Sequence, residues 1–144
     1  MTEITQSLPA NLEKIVKRFQ RCQDPKRRIQ QLIDYAKKLP EFPESSKIDE
    51  NKVPGCVSQV FITANLEEGM VQYQADSDAQ LTKGLVSLLV LGLNGLPPEE
   101  VINLSSDFIQ DTGLNVNLTP SRANGFYNIF ETMKKKARQL QSES

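Results

Sequence analysis

The segment Val53-Pro54-Gly55-Cys56-Val57-Ser58-Gln59-Val60-Phe61-Ile62 is the one from which the fold of this chain can be worked out. Pro54 fixes its own φ and favours an extended Val53, and Gly55 permits a bend that a residue with a Cβ would resist. The residues that follow, Gln59 to Thr63, are β-branched and aromatic, which is typical of a strand. The segment therefore predicts a short loop that presents Cys56 at its tip and is anchored by a strand.

A β-hairpin is predicted directly after this loop. Val57 to Ala64 forms the first strand, residues 65–69 form a turn that ends in glycine, and Met70 to Ala75 returns. Lys47 to Val53 could add a short third strand beside them.

Helical periodicity marks the chain before the hairpin. Leu12 to Phe19 carries apolar residues at helical spacing, with Ser7 and Pro9 as start signals. Asp24-Pro25 begins a second helix that Pro40 and Pro43 end. The two helices are expected to form an antiparallel hairpin whose outer side carries basic residues: Lys14, Lys17, Arg18, Arg21, Lys26, Arg27 and Arg28.

Helices are also predicted after the hairpin. Asp76-Ser77-Asp78 offers polar caps to a helix from about Ala79 to Leu93, which is apolar nearly all round and is expected at the domain centre. Shorter helical pieces follow, and Thr119-Pro120 opens the last helix. This order predicts an α+β fold, a small antiparallel sheet flanked by the N-terminal helical hairpin and C-terminal helices. One domain spans 1–144, with its core at about 11–138 and flexible termini.

The composition is that of a globular protein, with 38% hydrophobic residues, 24% charged residues and a formal net charge of −1. A charge so close to zero argues against nucleic acid as the main partner. Residues 1–40 nevertheless hold nine Lys/Arg against four Asp/Glu, whereas residues 41–111 hold three against twelve. Two interpretations stay open: a bipolar surface that docks a charged partner, or solvated helix faces that differ in charge.

Location is predicted from two further features. The N-terminus lacks the basic start and apolar core of a secretory signal, and the longest apolar run, Leu85 to Leu93, is too short to span a membrane. A cytoplasmic location, where thiols stay reduced, is therefore expected.

The sequence contains no histidine and only two cysteines. Every Cys-His or Ser-His nucleophile pair is thereby excluded, and two cysteines cannot fill a Cys-rich zinc shell. We expect no metal and no cofactor in this chain.

Cys56 suits thiol–disulfide-type exchange, which needs no general base when the attacking thiol titrates near ambient pH. Persulfide transfer is a step of the same kind, and we expect Cys56 to carry it out. The alternative for a lone cysteine is a small buried apolar residue. Cys22, on an amphipathic helix, is expected to be such a buried structural thiol.

Four segments in this order resemble the SufE family of cysteine desulfuration proteins over roughly Leu12 to Ala137. They are Gly55-Cys56-Val57-Ser58-Gln59-Val60, Asp76-Ser77-Asp78-Ala79, Lys83-Gly84-Leu85 and Leu118-Thr119-Pro120-Ser121-Arg122. Arg18-Phe19, Arg21-Cys22 and Lys38-Leu39-Pro40 are also similar to that family.

The resemblance implies a sulfur carrier. Its members accept sulfane sulfur from a pyridoxal-phosphate-dependent cysteine desulfurase of the SufS type, stimulate that enzyme, and pass the sulfur toward iron–sulfur cluster assembly. The acceptor cysteine falls on Cys56, and the family's aspartate and arginine beside the acceptor loop fall on Asp78 and Arg122. The implied fold resembles that of IscU-type scaffolds, whose three cluster cysteines this chain lacks. The protein would thus be an accessory to the desulfurase, without independent turnover, and a monomer or weak homodimer.

Supporting roles around Cys56 are assigned to Gly55, Ser58, Gln59, Asp78 and Arg122. Arg122 could pair with Asp76 or Asp78, favour the Cys56 thiolate, or simply be a surface arginine. Asp78 is expected mainly as a helix cap.

Two neighbours in the sequence are expected to play simpler parts. Lys83 is predicted to be solvated or to face a partner, and Gly84 to allow close packing against the sheet. Two other classes stay open for the whole protein: an independent thiol enzyme such as a peroxide reductase, and a module that regulates a desulfurase without carrying sulfur.

Overall fold

The computed structural model describes residues 8–56, 58–114 and 118–143, and Ser7 and Val57 lie outside these ranges. Two strands and six helices form in them: α1 (Ala10–Arg21), α2 (Pro25–Ala36), β1 (Val60–Glu67), β2 (Met70–Ser77), α3 (Gln80–Leu93), α4 (Pro98–Ile102), α5 (Asp107–Asp111) and α6 (Pro120–Glu143). The predicted α+β class is confirmed. No helix within these ranges is both long and apolar enough to cross a bilayer.

The sheet is a single antiparallel hairpin with Val60 opposite Ser77 and Glu67 opposite Met70. The predicted turn is present but tighter than residues 65–69. It consists of Glu68 and Gly69, which both have positive φ (54° and 80°), the type I′ geometry that suits the twist of two strands.

The third strand predicted for Lys47 to Val53 is wrong. The chain there forms two 3-10 turns, Glu44–Ser46 and Asp49–Asn51, and meets the sheet only through an isolated bridge from Lys52 to Phe61. This segment is polar and exposed over most of its length, so it offers no alternating apolar face to bury against the sheet.

Helix α3 lies at the centre of the molecule, as its apolar composition predicts. Leu85, Leu88, Leu89 and Leu93 are at most 1% exposed, and α1, α2, α6 and β2 all pack against this helix. Helices α1 and α2 both pack mainly on α3. They touch each other through the rings of Phe19 and Tyr35, whose centroids are 5.8 Å apart.

We expected Gly84 to pack against the sheet, but it packs against helix α2. A Cβ built on Gly84 would overlap the carbonyl oxygen of Leu32 and lie 2.7 Å from its carbonyl carbon. The glycine is needed because two helix backbones approach each other closely at this point.

The helix starts follow local capping signals in two places. Asp24 accepts a hydrogen bond from the Lys26 N–H (3.0 Å) with Pro25 in the first turn of α2, and the Thr119 hydroxyl accepts one from the Arg122 N–H (3.3 Å) at the start of α6. The start of α6 brings Gly125 and Asn128 beside the loop that carries Cys56.

Candidate functional site

Cys56 lies on a loop that is closed at its base by the sheet. The Val53 N–H donates to the Val60 carbonyl at 2.8 Å, so the two ends of the loop are held together where β1 begins. Gly55 has φ of +77°, in the left-handed region that glycine adopts without strain. The predicted bend before the thiol is therefore present.

Asn128, which the sequence did not indicate, holds the tip of this loop. Its Nδ2 donates to the Gly55 carbonyl at 3.1 Å. A Cβ on Gly55 would lie 2.7 Å from the same Nδ2. Gly55 is thus required twice, for its backbone conformation and for the space that the Asn128 amide occupies.

The Cys56 thiol is half-buried against the start of α6. Its Sγ lies 3.9 Å from the Gly125 carbonyl oxygen. Next to it is a cavity of about 20 Å³, room for about one water-sized atom. The cavity is lined by Cys56, Ser58, Thr82, Ser121, Arg122 and Gly125.

Two polar side chains form one wall of this cavity. The buried Thr82 hydroxyl lies 3.4 Å from the hydroxyl of Ser58, which lines the cavity; its supporting role stays a prediction. Gln59 belongs to the base of the loop. Its N–H donates to the Asp78 carboxylate (3.0 Å), and its carbonyl accepts from the Asp78 N–H (3.3 Å).

The prediction that Asp78 caps α3 is therefore wrong. The residue before α3 is Ala79, whose side chain cannot cap, and the Ser77 hydroxyl accepts from the Ala79 N–H at 3.2 Å. Asp78 instead ties the end of β2 to the start of β1. An aspartate before a helix can bond a backbone N–H either along the chain or across a sheet, and its position alone does not separate the two.

Arg122 lines the cavity beside Cys56 but does not pair with Asp76 or Asp78. Within the described ranges, Asp76 forms its ion pairs with Lys47 and Lys83, both at 3.2 Å. Lys83 is thus paired rather than simply solvated. Of the roles considered for Arg122, pairing with Asp76 or Asp78 is not formed among the described residues; the residue is exposed and lines the sulfur cavity.

The environment of Asp76 keeps this carboxylate ionised. Burial alone would raise the pKa of Asp76, but hydrogen bonds from Lys83, the Ser77 backbone and Lys47 outweigh it and hold the pKa below its ordinary value. The charged cluster therefore fixes the chain that precedes the loop against the end of β2.

We expected Cys22 to be a buried structural thiol, and this prediction is wrong. Cys22 is partly exposed at the end of α1, its Sγ lies 3.9 Å from the Asp24 carbonyl oxygen, and it does not line the cavity of Cys56. The residues that the sequence did not indicate are Thr82, Ser121, Gly125 and Asn128.

Replacing Asn128 with alanine is expected to expose Cys56. The variant loses the bond that holds the loop tip, so alkylation of Cys56 by iodoacetamide should become several-fold faster, while the free energy of unfolding falls by only about 1 kcal/mol. Asn128 has a matched control in Asn124, which lies one turn earlier on α6, is exposed, and should be replaceable by alanine without effect. Equal alkylation rates in the two variants would show that Asn128 does not restrain the loop.

The reactivity of Cys56 is also expected to depend on pH in a definite direction. Burial raises the pKa of the Cys56 thiol, because the thiolate is the form that desolvation disfavours. In a Cys22→Ser background, the pH midpoint for alkylation should be higher in the folded protein than in the chain unfolded in urea. The folded state holds this proton more tightly, so the free energy of unfolding falls as pH rises past the unfolded pKa. A folded midpoint at or below the unfolded one would mean that the Arg122 charge outweighs burial.

Comparison with known proteins gives one consistent result. The family model SufE, described as an Fe-S metabolism associated domain, matches residues 13–137. The chain is 65% identical over 131 residues to an uncharacterized SufE-like protein of Synechocystis, covering 91% of this chain and 82% of that protein. It is 47% identical to SufE-like protein 1, chloroplastic/mitochondrial, of Arabidopsis thaliana, covering 94% of this chain but 37% of that protein.

A relative from a different group of organisms and a solved structure agree. The cysteine desulfuration protein SufE of Plasmodium vivax is 41% identical over 132 residues, which are 88% of this chain and 52% of that protein. The solution structure of a hypothetical protein from Thermus thermophilus superposes with a TM-score of 0.81 at 26% identity, covering 94% of this chain and 99% of that one.

Proposed function

Because the chain belongs to the SufE family, we propose that it accepts sulfane sulfur on Cys56 from a SufS-type cysteine desulfurase and stimulates that enzyme. The observation that carries this proposal is the position of the thiol, at the tip of a short loop and beside a cavity with room for about one further atom. An acceptor of a single sulfur atom needs this combination of reach and space.

The transfer step is balanced without any external oxidant or reductant. The Cys56 thiolate attacks the outer sulfur of a cysteine persulfide on the donor enzyme, one S–S bond forms, and the donor's S–S bond breaks. The donor thiolate leaves and takes up a proton equivalent to the one that Cys56 lost. The sulfane sulfur keeps its oxidation level throughout the step.

The residues around Cys56 suit a carrier that is inactive until it docks. Burial keeps the thiol protonated near neutral pH, and a protonated thiol is a weak nucleophile. Release of the Gly55–Asn128 bond would free the loop tip while the Val53–Val60 bond keeps its base in place. Arg122 lines the same cavity, so on docking its cation could face the anionic forms of Cys56, thiolate and persulfide alike.

The same features disfavour an independent thiol enzyme. Such an enzyme needs a thiolate before its substrate arrives, whereas burial raises the pKa of Cys56 and no histidine can take its proton. Downstream, we propose that the sulfur passes to an iron–sulfur scaffold complex, with the protein acting as a monomer or weak homodimer. The cytoplasmic location stays a prediction, since names among its relatives include chloroplastic proteins.

The proposal is tested by loading the protein and finding the sulfur. Incubation with a SufS-type desulfurase and L-cysteine should add one sulfur atom to the intact mass, and peptide mapping should place it on Cys56. A sulfur atom found on Cys22 instead, or no gain in mass at all, would contradict the proposal. Omission of the desulfurase is the control, and no gain is expected there.

A further inference from the structure

A second concave surface lies between α1 and α2. It reaches α3 at Leu91, near the end of that helix, whereas the sulfur cavity reaches α3 at Thr82, near its start. This basic groove encloses about 840 Å³. Its walls carry six cationic side chains and no carboxylate: Lys14, Lys17, Arg18, Arg21, Arg27 and Lys38. The whole chain has a formal net charge of −1, so the positive charge is concentrated in this groove rather than spread over the protein.

Few of these charges are neutralised by the protein itself. Lys17 pairs with Glu13 at 3.2 Å and Arg27 lies 3.9 Å from Asp24, both exposed contacts that contribute little. Asp34 is the other carboxylate nearby, and it accepts a hydrogen bond from Gln30. Lys14, Arg18, Arg21 and Lys38 form no ion pair within the described ranges, so an anionic partner can engage them directly.

The groove has the shape and floor of a helix-binding site. Its lining residues recur at i, i+4 spacing along both helices, from Asn11 to Arg21 on α1 and from Arg27 to Tyr35 on α2, the former a length of about 15 Å. The floor between the cations is lined by Leu91, which is half-buried, and by the edges of Ile15 and Tyr35, which are largely buried, with the Lys38 ammonium 5.1 Å from the centre of the Tyr35 ring. An amphipathic helix binds such a groove by laying its apolar stripe on the floor.

We propose that this basic groove docks an acidic amphipathic helix of a partner protein. The apolar stripe of that helix would lie on Leu91 and on the accessible edges of Ile15 and Tyr35, and acidic residues on both flanks would face the two rows of cations. A second copy of this chain fits poorly. Its acidic helix residues occur as close pairs only on α4 and α5, which are five residues long each and too short to follow the groove, whereas α1, α2 and α6 carry single, widely separated carboxylates.

The groove and the thiol can be occupied at the same time. The two cavities share no lining residue. Along α3, Thr82 at the sulfur cavity and Leu91 at the groove floor are nine residues apart, which is about 14 Å. A partner held in the groove thus leaves the Cys56 loop free, and the inference does not depend on the proposed sulfur transfer.

The test uses a designed peptide rather than an unknown protein. A fluorescein-labelled helical peptide of about 18 residues, with leucines along one face and glutamates on both flanks, is titrated with the full-length protein and followed by anisotropy. Binding is expected to weaken about tenfold in the double variant Arg18→Glu/Arg21→Glu, since two attractive pairs become repulsive. Raising the salt from about 50 to 300 mM should weaken binding to the wild type as well.

Matched controls separate docking from general charge and from misfolding. Lys135→Glu/Arg138→Glu reverses two exposed charges at the same i, i+3 spacing on α6, and should bind the peptide like the wild type. Lys14→Gln/Lys38→Gln removes groove charges without reversal and should weaken binding several-fold, which covers the case in which the first variant folds poorly. Unbound peptide, equal weakening in the α6 variant, or displacement of the peptide by equimolar inorganic pyrophosphate would overturn the proposal, the last by assigning the groove to a phosphate ligand.

Discussion

Replacing Cys56 with serine is expected to abolish sulfur loading completely. The substitution replaces the thiol sulfur by a smaller hydroxyl oxygen beside the Gly125 carbonyl, a change small enough that the fold should stay intact. A serine hydroxyl is not ionised near neutral pH and cannot form the S–S bond on which the transfer depends. Intact mass after incubation with a SufS-type desulfurase and L-cysteine measures the result.

The rate of the desulfurase, measured in the same reaction, shows whether stimulation of that enzyme also depends on Cys56. If stimulation depends on removal of the persulfide sulfur, the rate with Cys56→Ser should fall to that of the desulfurase alone. Cys22→Ser is the matched control and should load and stimulate like the wild type, because Cys22 does not line the sulfur cavity. A gain of sulfur by Cys56→Ser would refute the acceptor assignment. Full stimulation without loading would instead make the protein a regulator that carries no sulfur.

Replacing Gly84 with alanine is expected to have the largest effect on stability, a loss of about 3 kcal/mol in the free energy of unfolding. The new methyl group would overlap the Leu32 carbonyl oxygen, which is backbone and cannot rotate away. Helices α2 and α3 would have to separate along a buried contact. This cost exceeds the gain of about 1 kcal/mol that alanine brings over glycine within a helix. The midpoint of urea unfolding should fall accordingly, at an unchanged slope.

Gly92 is the matched control, since it lies on the same helix two turns further on. A Cβ there would lie 2.8 Å from the side-chain atom Leu12 Cδ1 and 3.3 Å from the backbone atom Leu12 Cα, so its severe overlap is with a side-chain end rather than with backbone. Gly92→Ala should therefore destabilise the protein clearly less than Gly84→Ala does, with the helical preference of alanine offsetting part of the strain. Equal midpoints for the two variants would show that α2 can move at Leu32 and that the close approach is not required.

The elements of this fold were predictable where their signals are local. Pro25 after Asp24, the glycine of the hairpin turn and the apolar run of α3 each act over a few residues, and all three lie where they were predicted. The predicted third strand failed because the polar chain around Glu50 has no face to bury.

The surroundings of Cys56 were predictable only in part. Cys56 and Ser58 are close in sequence, and their motif indicated them. Asn128 and Gly125 reach the loop across 73 and 69 residues, and nothing in their own neighbourhood distinguishes them from other residues of an amphipathic helix. The same reason explains the error at Asp78, whose partner Gln59 lies 19 residues away, just before β1, rather than in the next helix.

Gly125 lines the cavity whose volume limits the size of a group that can be enclosed on the Cys56 thiol. A methyl group at this position would lie 3.7 Å from the Cys56 sulfur, an ordinary van der Waals contact, and would narrow the cavity that both residues line. With its volume of about 20 Å³, the cavity has room for a single added atom. A bulky adduct such as a glutathione mixed disulfide could not be enclosed there, and its carbon chain would keep the loop open.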